Sequence, residues 1–78
     1  MQEFQIRLRC VKDVQTFVDF ATGCPYAITL RDARNKVNGK SFMELFCLDF
    51  SNPIRVLAQC TEQEGQALRL GIDQFLVK

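Results

Sequence analysis

The stretch "VNGKSFMELFCL" (residues 37–48) joins a helix-start signal to a dense apolar run. Ser41 and Glu44 match the capping box S-x-x-E, in which the serine hydroxyl accepts a backbone N–H and the glutamate bonds back to the serine N–H. This pattern predicts a short helix that opens at Ser41 and ends near Leu48. One face of so short a helix cannot bury all of its apolar residues, so at least one or two of them must be exposed or only partly covered. The apolar residues of this segment are Phe42, Met43, Leu45, Phe46, Cys47 and Leu48.

Upstream of this stretch, the chain predicts a strand and then a helix. "EFQIRLRC" (3–10) alternates, as a half-buried strand does. Its inward residues are predicted to be Phe4, Ile6, Leu8 and Cys10. Asp13 is the predicted N-cap of the helix, and Gly23 ends it. Helical spacing gives the inner face Val14, Phe17, Val18 and Ala21.

Around and beyond the opening stretch, two further segments alternate. "YAITLR" (26–31), the turn "DARN" and a strand at 36–38 read as a hairpin that Gly39 ends. "PIRVLAQ" (53–59) is a strand with Ile54, Val56 and Ala58 inward. Thr61 and Glu64 form a second capping box at the start of the last helix. Its predicted inner stripe is Leu68, Gly71, Ile72 and Phe75.

The element order is therefore β-α-β-β-α-β-α over a single domain, residues 1–78. Alternating strands and amphipathic helices in this order predict an α+β fold, in which a sheet is covered on one side by helices. The 78 residues carry a net charge of +1, with 47% hydrophobic and 24% charged residues. This composition is that of a soluble globular protein and disfavours nucleic-acid binding through bulk charge.

The sequence also limits the chemistry that the chain can perform. It has no histidine, which is the commonest general base and metal ligand, and its four cysteines form no CxxC pair. We therefore expect neither metal nor cofactor and no enzymatic activity. No segment reaches the roughly 20 apolar residues of a membrane span, and the first residues lack a signal-peptide pattern, so a cytoplasmic location is expected.

Over nearly its whole length, the chain resembles the HPr family, the small phosphocarriers of the bacterial sugar phosphotransferase system. In that family a Lys-Ser pair opens the second helix and two bulky apolar residues follow; here these are Lys40–Ser41 and Phe42–Met43. "FVDFATGCPYAITL" resembles the family's first helix and second strand. "AQCTEQEGQAL" resembles its fourth strand and the start of its last helix. The resemblance implies an HPr-like open-faced β-sandwich, with a four-stranded sheet covered on one side by three helices.

The chain departs from the family at the phosphorylated loop. The family carries its phosphoryl group on a histidine in a Gly-Leu-His-x-Arg-Pro type loop, whereas this chain reads "RLRCVKDVQTF" there. Ungapped counting places Cys10 near the histidine position and Lys12 near the arginine. Without histidine, the usual carrier step is lost.

Some HPr-like paralogues lack the histidine, keep the serine and act in carbon-catabolite regulation. The resemblance thus implies a regulatory module with Ser41 as a phosphorylation site and with Lys40, Phe42 and Met43 as partner contacts. The implied partners are an HPr-type kinase, a transport-system enzyme or a transcriptional regulator, with neither nucleic acid nor membrane. The residues alone favour Ser41 as only a helix cap, because the capping box by itself explains a serine at this position.

Two other functions remain open from the residues. Cys10, with Arg9 and Lys12 near it, could be a low-pKa nucleophile, although a base is missing and an inward strand position is preferred. Alternatively, the chain is a structural or small-anion-binding module that shares only the sandwich fold, with Arg7, Arg9 and Lys12 as anion ligands.

Overall fold

The order of elements in the computed structural model, which describes residues 1–77, is the predicted one. The α-helix α2 has only four residues, and a 3₁₀ turn at Asp73–Phe75 follows α3. No helix in these residues has the length and apolarity needed to cross a membrane. The elements are β1 (Gln2–Ile6), α1 (Val11–Thr22), β2 (Ile28–Arg31), β3 (Lys36–Asn38), α2 (Phe42–Leu45), β4 (Ile54–Ala58) and α3 (Glu62–Gly71).

The four strands form one antiparallel sheet in the order β1-β4-β2-β3. β4 therefore lies between β1 and β2, although it is the last strand in the chain. Its inward residues Ile54, Val56 and Ala58 are fully buried, as alternation predicts. Beyond β1, Ile6 and Leu76 form an isolated bridge that ties the end of the described chain to the sheet.

The core lies between the inner face of the sheet and the helices. The predicted inner face of α1 is confirmed, since Val14, Phe17, Val18 and Ala21 are all buried. Leu68, Ile72 and Phe75 are buried as predicted for the last helix. The predicted α+β fold, with a four-stranded sheet covered by three helices, is therefore confirmed.

The predicted inward position of Cys10 is wrong. β1 ends at Ile6, Leu8 is the last inward residue, and Cys10 is exposed immediately before α1. Asp13 is likewise not the N-cap, because α1 already begins at Val11. Its carboxylate instead accepts a hydrogen bond from the Arg9 N–H at 3.0 Å.

Gly71 also departs from its predicted inner position. It is exposed, and the tip of the Phe20 ring on α1 occupies the space that a side chain at Gly71 would need. A missing side chain therefore lets α1 and α3 approach each other here, which helical periodicity alone does not indicate.

Candidate functional site

The turn between β3 and α2 is organised by Asn38. Its side-chain oxygen accepts the Lys40 N–H at 2.9 Å, and its carbonyl accepts the Ser41 N–H at 3.0 Å. Its own N–H donates to Glu44 Oε1 at 3.4 Å. These bonds fix the chain direction at Ser41, where the backbone is still extended (φ −106°, ψ 108°) before the helix begins.

Ser41 caps α2, but the predicted capping box is only half formed. The Ser41 hydroxyl accepts the Glu44 N–H at 3.4 Å, a long hydrogen bond. The Glu44 side chain bonds to Asn38 and not to the Ser41 N–H. By contrast, Thr61 and Glu64 form both bonds of their box, at 3.1 and 3.0 Å. Ser41 is half-buried, and its hydroxyl has a weak partner.

The prediction that α2 continues to near Leu48 is wrong, because the α-helix ends at Leu45. Tight turns follow, in which the Cys47 N–H bonds the Glu44 carbonyl and the Leu48 N–H bonds the Leu45 carbonyl. This tighter winding buries both Leu45 and Leu48. A four-residue helix sums few peptide dipoles, so its N-terminus provides little attraction for an anion at Ser41.

Three side chains of this segment form an apolar surface, which we call the α2 patch: Phe42, Met43 and Phe46. Met43 is 76% exposed and Phe46 is 44% exposed, whereas Phe42 packs partly against the core. The Phe42 and Phe46 rings meet edge to face, with centroids 5.0 Å apart. The expectation that this segment cannot bury all its apolar groups is confirmed, and Met43 is the most exposed of the three.

Lys40 is anchored and does not project freely into solvent. Its ammonium donates a 2.7 Å hydrogen bond to the Cys24 carbonyl, in the loop after α1. The start of α2 is thus held against the C-terminal end of α1. The charge of Lys40 lies beside Ser41 in sequence but is directed toward α1.

Cys10 and Lys12 lie far from this site. Both are exposed at the N-terminal end of α1. α1 has 12 residues, and a helix rises about 1.5 Å per residue, so the two ends of α1 are roughly 18 Å apart. The structure therefore does not bring Cys10 and Lys12 together with Lys40 and Ser41.

Two of the remaining cysteines lie together between the end of α1 and the start of α3. Cys24 and Cys60 are half-buried and free, near Tyr26. Burial and the nearby Glu64 carboxylate raise the pKa of the Cys60 thiol above its usual value. The pKa of the Tyr26 hydroxyl is also raised, mainly by burial and to a smaller extent by a hydrogen bond with Cys24. Among residues 1–77 no group of histidine, cysteine or carboxylate side chains is arranged to hold a metal ion.

Asp32 links the β2–β3 turn to the loop before β4. Its carboxylate accepts the N–H groups of Arg34 (2.8 Å), Asn35 (2.6 Å) and Asp49 (2.7 Å). These hydrogen bonds lower the pKa of Asp32 to about 2, and the bond from the Asp49 N–H has the largest effect. The sequence predicts the turn "DARN" but gives no sign of the bond to Asp49, 17 residues away.

Acid stability tests this link. A carboxyl whose pKa is lowered on folding stabilises the folded state above its ordinary pKa of 3.8, and this contribution is lost as the pH falls toward about 2. We therefore expect the melting temperature to depend less on pH between about pH 4 and pH 2 in Asp32→Asn than in the wild type. Asp19→Asn, at an exposed position on α1, is the matched control and should retain the wild-type slope. Equal slopes in the wild type and Asp32→Asn would contradict this role.

One further polar surface is not predicted by the sequence. An open cleft lies along the sheet face opposite the helices, between the β2–β3 turn and the loop before β4. Its basic lining residues are Arg31, Arg34 and Arg55. Alternation predicts that Arg31 and Arg55 point outward, but only the strand register places them side by side.

Comparison with solved structures confirms the HPr-like fold. A crystal structure of HPr-C-His from Thermoanaerobacter tengcongensis is similar to this chain, with a TM-score of 0.78 and 24% sequence identity, over 96% of this chain and 91% of that one. No protein-family model matches the chain, and no match was found among curated proteins. At this level of identity the likeness establishes the fold and not the activity.

Proposed function

We propose that this chain is a non-catalytic regulatory or protein-binding module related to the HPr proteins, in which the α2 patch contacts the partner. The observation that carries the proposal is the exposure of Met43 and Phe46 beside a half-buried Ser41. The resemblance to the HPr proteins supports a bacterial, cytoplasmic setting. The partner is an HPr-type kinase, a transport-system enzyme or a transcriptional regulator.

The chemistry of the α2 patch favours protein binding. Methionine and aromatic residues are enriched where proteins meet, and clustered exposed apolar groups often mark such sites. Met43 and Phe46 are three residues apart, and the Phe46 N–H donates to the Met43 carbonyl at 3.4 Å in the turn that ends α2, so the two residues are neighbours in this turn. A partner could cover both side chains without displacing Leu45 or Leu48, which are buried in the core.

The chain itself supplies little for catalysis. It contains no histidine, and a serine or cysteine nucleophile needs a base or a lowered pKa. The pKa of the Cys60 thiol is raised, which makes its thiolate scarcer at neutral pH. These observations support a role in binding over a role in catalysis.

Phosphorylation of Ser41 would act mainly on docking. A phosphoryl group adds roughly −1.5 to −2 charge, and it would replace a long 3.4 Å cap bond, so little of the fold depends on the hydroxyl. The Glu44 carboxylate lies within the same turn, and Lys40 is bonded to the Cys24 carbonyl. The added charge would therefore stay poorly neutralised next to Phe42 and Met43, and partners of the α2 patch would sense it.

Intact-mass measurement tests the regulatory role. After incubation with an HPr-type serine kinase and ATP, we expect the wild type to gain one phosphoryl group and Ser41→Ala to gain none. Ser51→Ala is the matched control, because Ser51 lies in the exposed loop before β4, and it should be modified like the wild type. An unmodified wild type, or a gain that survives Ser41→Ala, would remove Ser41 from the proposal.

The same kinase measures the contribution of the α2 patch. Met43→Glu places a charge at a position that is 76% exposed, so the fold should tolerate it. We expect the KM of the kinase for this variant to rise roughly tenfold, as for loss of one good interface contact. If Met43→Glu were phosphorylated with the same KM as the wild type, the α2 patch would not be the docking surface.

The alternative is a structural or small-anion-binding module that shares only the sandwich fold. Arg7, Arg9 and Lys12 are all exposed, as that alternative requires. No second observation in the described residues directs their side chains to one point, so we favour the regulatory module.

A further inference from the structure

The sheet face opposite the helices carries a line of cations, which we call the cation row: Arg55, Arg31 and Lys36. In the register of the sheet, Arg31 is opposite Arg55 on β4 and opposite Lys36 on β3. Gln5 on β1 continues the same line next to Arg55. Three positive side chains therefore lie on three adjacent strands, and all three are exposed.

Two cations of the row, Arg31 and Lys36, have no salt-bridge partner among residues 1–77. Arg55 forms a salt bridge with Glu3 at 2.8 Å, and this is the one salt bridge among residues 1–77. The ionised carboxylates of Asp32 and Asp49 border the same cleft, but neither forms a salt bridge with Arg31 or Lys36. Arg31 thus has a like charge on both sides and no carboxylate partner within salt-bridge distance in this part of the chain.

Like charges directly opposite each other in a sheet destabilise it. The arrangement is also not a consequence of a strongly basic chain, because the net charge is only +1. Most of the acidic residues lie in the helices and the 3₁₀ turn, and the only basic residues in these elements are Lys12 and Arg69. The acidic residues there are Asp13, Asp19, Glu44, Glu62, Glu64 and Asp73. The fold therefore separates charge between its two faces.

We propose that the cation row binds an acidic helix of a partner protein, independently of the α2 patch. Adjacent strands lie about 4.8 Å apart, which is close to the roughly 5–6 Å between helix residues four positions apart. Carboxylates on successive turns of one helix can thus face Lys36, Arg31 and Arg55 in order. Leu57 and Thr29 form the neighbouring line of the same face and offer apolar contact beside the charges.

Nucleic acid fits this face less well. Single-stranded nucleic acid binds mainly where bases stack on aromatic side chains between the cations. None of the residues at the outward positions of the four strands is aromatic. These residues are Glu3, Gln5, Thr29, Arg31, Lys36, Asn38, Arg55 and Leu57. The aromatic-free face is therefore assigned to a protein segment that carries carboxylates.

Titration of the ¹⁵N-labelled protein tests the proposal. The probe is an alanine-rich helical peptide with glutamate at every fourth position, and its counterpart carries lysine at those positions. We expect amide shifts of Thr29, Arg31, Lys36, Arg55 and Leu57 with the glutamate peptide only, weakening as salt is added. Shifts confined to the helices, no shifts, equal shifts with the lysine peptide, or tighter binding of an oligothymidylate would overturn the proposal.

Paired variants separate the cation row from net charge. Arg31→Gln/Lys36→Gln should weaken peptide binding roughly tenfold, as expected for two exposed ion pairs. Arg9→Gln/Lys12→Gln removes the same charge at the start of α1 and should bind like the wild type. If peptide binding were weakened equally in both variants, the effect would be one of net charge, and the proposed site would be contradicted.

Stability provides a second readout that needs no ligand. Relief of the like-charge contacts should raise the melting temperature of Arg31→Gln by about 3 °C. A variant that binds the peptide less well while melting higher has the properties expected of a binding residue kept at a cost to stability. A lowered melting temperature would show that Arg31 stabilises the sheet and would contradict the argument.

Discussion

Phe17→Ala is expected to lower the free energy of unfolding by about 3–5 kcal/mol, the usual cost of truncating a buried phenylalanine. Phe17 is fully buried at the centre of the inner face of α1, and its ring packs edge to face on Phe75, with centroids 6.2 Å apart. Alanine would leave a cavity between α1 and the 3₁₀ turn after α3. Urea unfolding followed by circular dichroism measures the change.

The loss is large for a domain of this size. Folded proteins are stabilised by about 5–15 kcal/mol, and a 78-residue chain has little core to spare. The melting temperature should therefore fall by roughly 20 °C. Phe46→Ala removes the same atoms from a side chain that is 44% exposed, so it should cost about 1 kcal/mol. Equal losses in the two variants would contradict the core assignment.

Gly39→Ala is expected to destabilise the protein by about 1–3 kcal/mol, as overpacking does. Gly39 is buried at the end of β3, and its N–H donates to the Ile28 carbonyl at 2.8 Å. A Cβ there would lie 2.8 Å from Ile28 Cγ2 and 3.0 Å from the Ile28 carbonyl oxygen. The neighbouring atoms are core and backbone, so β2 and β3 would have to separate.

The effect should also reach the functional site. Lys40 and Ser41 follow Gly39 directly, so a shift of the strand end moves the cap of α2. In ¹H–¹⁵N spectra we expect the Ser41 and Glu44 amides to shift in Gly39→Ala, together with a lower melting temperature.

Gly23→Ala is the matched control. Its Cβ would meet only the Phe20 carbonyl oxygen, at an ordinary 3.5 Å, and neither glycine has a positive φ. This variant should therefore melt within a few degrees of the wild type. If Gly39→Ala were as stable as Gly23→Ala, close packing would not be the reason for glycine at position 39.

Predictions from periodicity were the most reliable. Val14, Phe17, Val18 and Ala21 are buried because a 3.6-residue period alone determines one face of a helix. Ile54, Val56 and Ala58 follow in the same way from the two-residue period of a strand. Both periods are local properties, so the sequence specified the inner faces and hence the two-layer fold.

Predictions at element ends were less reliable. Cys10 continues the alternation of β1 in sequence, yet the chain leaves the sheet at Ile6 and turns into α1. Ser41 and Glu44 have the spacing of a capping box, but Asn38 competes for the Glu44 side chain. The competing partner comes from the preceding strand, and the four-residue motif does not contain it.

The sequence by itself determined which side chains face the core in the middle of the helices and strands, although not at the element ends, where Cys10 and Gly71 are exposed. It also determined that histidine chemistry is absent and that too many apolar groups surround α2 for all to be buried. Only the tertiary structure decided that Lys40 bonds to the Cys24 carbonyl, that Asp32 holds the Asp49 loop and that Arg31 stands between Arg55 and Lys36. The physical reason is range: burial patterns repeat along a single element, whereas these contacts join segments that become neighbours only when the strands pair in one register.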